Sequence, residues 1–356
     1  MNRRLFLQSL PWLSAGLTGC ASNESRRRTQ AAFRGTLSFD NPSVRCFSPA
    51  IETPFRLFQI ADTHLWRDDA RGDAFKPFSA RMAKAYNSTR HFQTQAPTNP
   101  EESFVAALKL ARDSRADLVI LNGDIFSFPS EAAIEWARAR LDDAALPYVY
   151  VAGNHDWHYE GMDGTSDSLR EAWIQKRLRP LYQGADPLMS VRRIGGVRLV
   201  IIDNSTYEIH PEQRAFYRQQ AQTGEPLVLL VHIPLYVPGR AVGFGCGHPE
   251  WGARADKNYE LERRPRWRES GHTETTMAFH RDVFNTPNLL GIFAGHIHRA
   301  SSDVYRGVPQ IVSDANAMGA YLNIEFQPHR EGARAPVSAM GRGEAVARDL
   351  VRVTSL

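Results

Sequence analysis

Lysine is nearly missing from this chain. Its 356 residues include 43 lysines and arginines, of which only Lys76, Lys84, Lys109, Lys176 and Lys257 are lysines. The positive charge is therefore arginine, whose planar fork suits phosphate, although a GC-rich coding bias accounts for most of it as well. A large excess of one charge is lacking too. The formal net charge is +4, so no nucleic-acid-binding face is implied. Cysteine is scarce: Cys20, Cys46 and Cys246 stand alone, none in a CxxC pair, which excludes a closed thiolate zinc site. Internal repeats and low-complexity segments are absent, which removes solenoids and fibres. What remains is an ordinary globular balance, 42% hydrophobic and 23% charged, enough for one large α/β domain or two small ones.

The N-terminal stretch "NRRLFLQSLPWLSAGLTGC" is apolar from Leu5 but shorter than the roughly 20 residues that a spanning helix needs. Residues 1–20 therefore read as a signal peptide. Arg3-Arg4-Leu5-Phe6-Leu7 resembles a twin-arginine export signal. Leu17-Thr18-Gly19-Cys20 resembles a bacterial lipobox, whose cysteine is acylated and becomes the mature N-terminus. Ala21 in place of Asp resembles the pattern sorted to the outer membrane. A coincidental cysteine beside an ordinary cleavage site is the alternative. The expectation is a periplasmic or outer-membrane-anchored lipoprotein, held to the membrane through Cys20. Export would let Cys46 and Cys246 pair; two lone thiols are equally compatible. Residues 21–50, with Arg26 to Arg28, read as a polar linker, 51–330 as the folded domain and 331–356 as a C-terminal segment.

From Phe55 the pattern alternates. The runs "FRLFQIA" (55–61), "ADLVILN" (116–122), "PYVYVA" (147–152), "PLVLLV" (226–231) and "NLLGIFA" (288–294) read as strands. Between them lie helix signals. Asn99 caps and Pro100 opens one helix, with Glu102 three residues after the cap; Ser130 caps a second, and Pro211 starts a third. Strands alternating with helices predict an α/β layered sheet. Each of the five runs ends in a polar residue able to ligate or titrate: Asp62 and His64, Asp124, Asn154 to Asp156, His232, and His296 with His298. Ligands bind beyond the carboxyl ends of strands in such sheets. Taken singly, each end reads as a turn or a cap. Independent accidents would not place nitrogen and oxygen donors at five strand ends in a row.

Asp62, His64, Asp124, Asn154, His232, His296 and His298 are too many donors for one four-coordinate ion and suit two. With no thiolate among them, Mn, Fe or Zn fits. Two ions roughly 3.5–4 Å apart share a bridging carboxylate and hydroxide and clamp an oxyanion during in-line displacement. Phosphate-ester hydrolysis requires this.

In order and spacing, Asp62-x-His64, Gly123-Asp124, Gly153-Asn154-His155-Asp156, His232 and Gly295-His296-x-His298 resemble the calcineurin-like metallophosphoesterase family. The resemblance spans residues 62 to 298. It implies a four-layer α/β/β/α sandwich of two mixed β-sheets. It implies that Asp62, His64 and His298 hold one metal ion, that Asn154, His232 and His296 hold the other, and that Asp124 bridges them. His155 would then lie by the leaving-group oxygen, oriented by Asp156. The function expected is metal-dependent hydrolysis of a phosphomonoester or phosphodiester. A nucleotide or lipid pyrophosphohydrolase is the alternative within the class, and a non-catalytic scaffold the alternative outside it. Purple acid phosphatases carry a tyrosine three residues after the Gly-Asp aspartate and glycine in place of the first-motif histidine. Here Ser127 and His64 stand there, so a purple-type iron site is not expected.

Insertions near 66–100 and 238–271 are expected to shape substrate choice, since loops of that length are functional or disordered. The second reads as a cap over the metals. Arg240, Arg254, Arg263, Arg264, Arg266 and Arg268 are candidate phosphate contacts there, with the surface-arginine reading better for any single one. Trp251 and Trp267 would stack on a base or sugar, or pack the cap's own core; packing is the stronger reading.

Overall fold

The computed structural model describes residues 35–252 and 271–329. The signal segment with Cys20, residues 331–356, and Arg254, Arg263, Arg264, Arg266, Arg268 and Trp267 lie outside the described residues.

In chain order the strands are β1 (Thr36–Asp40), β2 (Ser43–Ser48), β3 (Phe55–Ile60), β4 (Thr89–Arg90), β5 (Pro97–Thr98), β6 (Leu118–Asn122), β7 (Tyr148–Val151), β8 (Met189–Ile194), β9 (Val197–Ile202), β10 (Leu227–Leu230), β11 (Leu289–Ala294), β12 (Ser301–Tyr305), β13 (Val308–Val312) and β14 (Leu322–Pro328). The helices are α1 (Lys76–Ser79), α2 (Met82–Ala85), α3 (Pro100–Asp113), α4 (Glu131–Ala144), α5 (Ser166–Trp173), α6 (Pro211–Gln222) and α7 (Glu274–Val283). Two six-stranded mixed sheets form, in the orders β1-β2-β14-β3-β6-β7 and β12-β13-β11-β10-β9-β8. All five predicted strands are present. They fall three in the first sheet and two in the second.

Alternation along the strands builds the layers. Leu57, Leu118, Ile120, Ile324 and Phe326 of the first sheet meet Leu199, Ile201, Val228, Leu230 and Ile311 of the second in one buried layer. Each such side chain contributes about 1.5–3 kcal/mol by leaving water. The opposite faces, Phe58, Ile60, Val119 and Leu121 in one sheet and Val200, Ile202 and Leu229 in the other, are buried with helical side chains. These include Phe104 and Leu108 of α3, Ile134 and Leu141 of α4, Tyr217 of α6, and Phe279 and Val283 of α7. The result is the four-layer α/β/β/α arrangement. The helix starts follow their signals: Asn99 accepts from the Glu102 amide, Ser130 accepts from the Ala133 amide, and Pro211 opens α6.

One sequence expectation fails here. The polar linker placed at 21–50 does not extend over 36–48, where β1 and β2 pair and β2 joins β14 in parallel. Val44 and Cys46 of β2 are buried in the layer between the sheets, and that burial outweighs the polar residues flanking them. Cys46 and Cys246 are both free and buried; burial pushes the Cys46 thiol up to about 12. The insertion near 66–100 is not open loop. It folds into a 3₁₀ turn, the short helices α1 and α2, and the β4–β5 hairpin. Thr89 of that hairpin donates to the Ala317 carbonyl, and Ala317 in turn donates to the Asp62 carbonyl.

Candidate metal centre

Strands β3, β6 and β7 run parallel in the first sheet, as do β9, β10, β11 and β13 in the second. Their carboxyl ends therefore emerge together. A buried polar clamp sets the two sheets' ends against each other. Gln59 Nε2 donates to the Ala294 carbonyl at 2.9 Å, and Asn122 Nδ2 donates to Gln59 Oε1 at 3.1 Å and to the Phe293 carbonyl at 3.2 Å. Beyond that clamp the expected residues converge in two groups. Asp62, His64, Asp124 and His298 form one and Asp124, His232 and His296 the other, each with its ligand atoms within 4.8 Å of one another. Asp124 is common to both.

The backbone bends sharply to achieve this. Asp62, His64, Asp124, His296 and His298 all lie in the left-handed region, with φ of 56°, 56°, 51°, 73° and 51°. Such a residue costs of order 1–3 kcal/mol, and such strain concentrates at functional sites. Two glycines are required by close approach. A Cβ on Gly123, itself at φ 82°, would collide with the His232 ring, and one on Gly153 would collide with Asp124.

The donors sit as a cation would need them. His64 Nε2 and His298 Nε2 face each other at 3.0 Å, His298 Nε2 lies 3.3 Å from Asp62 Oδ1, and His232 Nε2 lies 3.2 Å from Asp124 Oδ2. Asn154 Oδ1 is buried without a hydrogen-bond partner. Buried polar atoms are rarely left so, and an ion would satisfy it. His232 is aimed by its other nitrogen, 2.8 Å from the Asn122 carbonyl. Burial opposes charge on His64, Asp124 and His232. Burial and the neighbouring His298 push His64 well below the usual imidazole range. Against burial, the charges of His232 and His155 hold Asp124 well below the usual carboxylate range, and Asp124 in turn lifts His232 to about 10. Two carboxylates, one amide and four imidazoles make a set fitted to Mn, Fe or Zn.

His155 is buried beside this cluster, its ring centroid 5.2 Å from that of His64. Its amide donates to Asp124 Oδ1 at 2.7 Å. The expected partnership with Asp156 is corrected by the geometry. Asp156 Oδ1 accepts from the Phe126 amide and Oδ2 from the Gly153 amide, both at 2.8 Å. The carboxylate thus ties the β6 loop to the β7 loop and does not hold the His155 ring, whose Nδ1 is buried without a hydrogen-bond partner.

Two aromatic contacts at the site lie outside the sequence motifs. The Tyr86 ring stacks on His64 at 4.1 Å and 15°. It comes from the first insertion, and no motif marks it. Tyr207 OH lies 3.0 Å from His296 Nε2. A signal for this one existed. "VRLVII" is a further apolar run, β9, ending in Asp203-Asn204, and Asn204 clamps the Ile233 backbone next to His232 through both its amide nitrogen and its oxygen. In the second insertion Arg240 is engaged by Asp303 at 2.8 Å, so it serves the fold. Trp251 is buried between Tyr207 and His272, as the packing reading has it. Ser127 donates to the His64 carbonyl at 3.0 Å.

The family model for calcineurin-like phosphoesterases matches residues 55–300. The chain belongs to this family. Its matched span contains every residue of both donor groups. A protein from Psychrobacter arcticus described as a probable cyclic nucleotide phosphodiesterase is 23% identical over 61% of this chain and 74% of its own length. One so described from Moraxella catarrhalis is 28% identical over 30% of this chain and 29% of its own. A dimetal phosphatase of Danio rerio is similar in structure, with a TM-score of 0.47 and 14% identity over 74% of this chain and 88% of that one. Calcineurin-like phosphoesterases are metal-dependent, and the His/Asp cluster is where this member would hold its metal.

Proposed function

We propose that this calcineurin-like phosphoesterase is a two-ion phosphodiesterase. The observation that carries the reading is that Asp124 belongs to both donor groups, as a carboxylate shared by two ions must. Asp62, His64 and His298 would hold one ion with Asp124; Asn154, His232 and His296 would hold the other. Such ions supply an activated water and charge balance for the phosphoryl oxygens. The chain's own residues do the rest. The left-handed turns fix the donors, the clamp through Gln59 and Asn122 keeps the two sheets' ends in register, and His155, in neither donor group, gives the proton to the departing oxygen. The diester class is supported by the two relatives described as probable cyclic nucleotide phosphodiesterases.

The test uses purified protein stripped by chelator and reloaded with Mn, Fe or Zn. Bis-p-nitrophenyl phosphate and cyclic nucleotides should be hydrolysed only after reloading, faster than p-nitrophenyl phosphate, at close to two ions per chain. Full activity in the stripped protein would overturn the metal reading, and monoester preference would overturn the diester reading.

We also propose that the enzyme works outside the cytoplasm as a lipoprotein, on the strength of Arg3-Arg4 and Leu17 to Cys20. Cys20→Ala should release it from membranes, and lysine at both Arg3 and Arg4 should block export. Wild-type protein found soluble with another N-terminal residue would refute this.

A further inference from the structure

The second insertion reaches the metal centre through a stack of rings. Tyr207 is fully buried, and its hydroxyl lies 3.0 Å from His296 Nε2. Its ring lies on Trp251 at 4.7 Å and 22°, and Trp251 lies on His272 at 4.9 Å and 12°. His272 is itself fixed. Its Nε2 accepts from the Gly247 amide at 3.0 Å, so Nδ1 carries the proton and donates to Glu208 Oε1 at 3.1 Å. Glu208 also accepts from the amide and hydroxyl of Thr273, the residue that caps α7. Tyr207 holds this place at φ 63°, a left-handed conformation that an aromatic residue adopts only at a cost.

We propose that Tyr207 is a positioning residue for one ion of the pair, its hydroxyl fixing the His296 ring and the insertion's Trp251 fixing Tyr207. An imidazole that gives Nε2 to a hydroxyl offers Nδ1 to a cation, so the Tyr207 contact selects both the tautomer and the tilt of the ring. Asp124 and His232 would share that ion with His296, whereas Asp62, His64 and His298 belong to the other donor group. The effect should therefore fall on one ion only. The inference rests on the two-ion reading and goes beyond it, because it makes the insertion part of the metal site's support.

The experiment is a calorimetric titration of the stripped, full-length protein with Mn²⁺ alone, with thermal melting as the control for folding. Tyr207→Phe keeps the ring stack and removes only the hydroxyl. It should weaken one of the two sites by roughly 10–100-fold, as loss of a ligand's hydrogen-bond partner does. The other site should stay within about two-fold, and the melting temperature of the stripped protein should be unchanged. Trp251→Leu should weaken the same site by less. In a His296→Ala background, Tyr207→Phe should add nothing, because the two act through one ring. Wild-type binding at both sites in Tyr207→Phe would overturn the proposal. So would equal weakening of both sites together with a lower melting temperature. Fewer than two sites in the wild-type protein would instead overturn the two-ion reading on which it stands.

Discussion

Asp156 offers the sharpest test of the site's construction. Its two oxygens accept from the amides of Phe126 and Gly153 at 2.8 Å, and all of these groups are buried. Asp156→Ala leaves two buried N–H groups without partners. Each costs about 1–3 kcal/mol, so the loss is roughly 2–6 kcal/mol. Asp156→Asn keeps one acceptor oxygen and turns an amide N–H₂ toward the other N–H, which puts its loss near 1–3 kcal/mol. A kcal/mol lowers the melting temperature by about 2–4 °C in domains of 150–250 residues, and by less in a longer chain. Asp156→Asn should thus melt a few degrees lower than wild type and Asp156→Ala several degrees lower again. The two loops carry Asp124 and Asn154, so ion affinity should fall as well, by the 10–100-fold typical of lost support. The assay is urea unfolding of the stripped protein, beside a metal titration. If Asp156→Asn unfolds at the wild-type midpoint and loses only turnover, the carboxylate orients His155 after all, and the clamp reasoning is wrong.

His155→Ala should keep near-normal metal content and lose roughly 10²–10⁴-fold in turnover, more for alkyl esters than for p-nitrophenyl esters; equal losses on both would remove the proton from His155. Arg170 and Asp203 form a buried ion pair at 3.0 Å, and Arg170→Met, which strands Asp203, should cost about 3–5 kcal/mol in urea unfolding. The half-buried His210 is raised by its hydrogen bond to Asp167, which is lowered in return. The raised histidine contributes below its ordinary range and loses that contribution as pH rises through its folded value. The depressed carboxylate contributes above its ordinary range and loses it as pH falls through its folded value. The pair therefore helps most between about pH 4 and 6.5, by under about 1 kcal/mol since both groups are partly exposed. Followed by NMR, the His210 titration should move down in Asp167→Asn; an unmoved titration would show that the contact does not persist.

What could be read in advance divides along physical lines. The strands β3, β6, β7, β10 and β11 are covered on both faces, so they read as continuous apolar runs that stop where the polar donors begin. Asn99, Ser130 and Pro211 act within one helical turn, and local chemistry of that kind is visible in the residues themselves. By contrast, β1 and β2 carry no such signal, because β1 is half-exposed and β2 gains its burial beside β14, whose residues pair with it 280 positions later. Tyr86 and Tyr207 gain their meaning from histidine rings on other strand ends, and the partners of Asp156 in space are the amides of Phe126 and Gly153, not its sequence neighbour His155.

The backbone adds something that no residue type announces. Left-handed positions favour glycine, and aspartate and histidine tolerate them better than most side chains. Yet at Asp62, His64, Asp124, His296 and His298 glycine does not stand, although it stands next to two of them, at Gly123 and Gly295. Relieving the strain at those five positions would require removing five of the six side chains that form the two donor groups. A sequence that violates its local preferences together, at strand ends that meet in one place, is retaining function at the expense of local fit. The paired His296 and His298 follow from this. One residue apart on a left-handed bend, they reach the two groups separately, His296 toward Asp124 and His232, His298 toward Asp62 and His64.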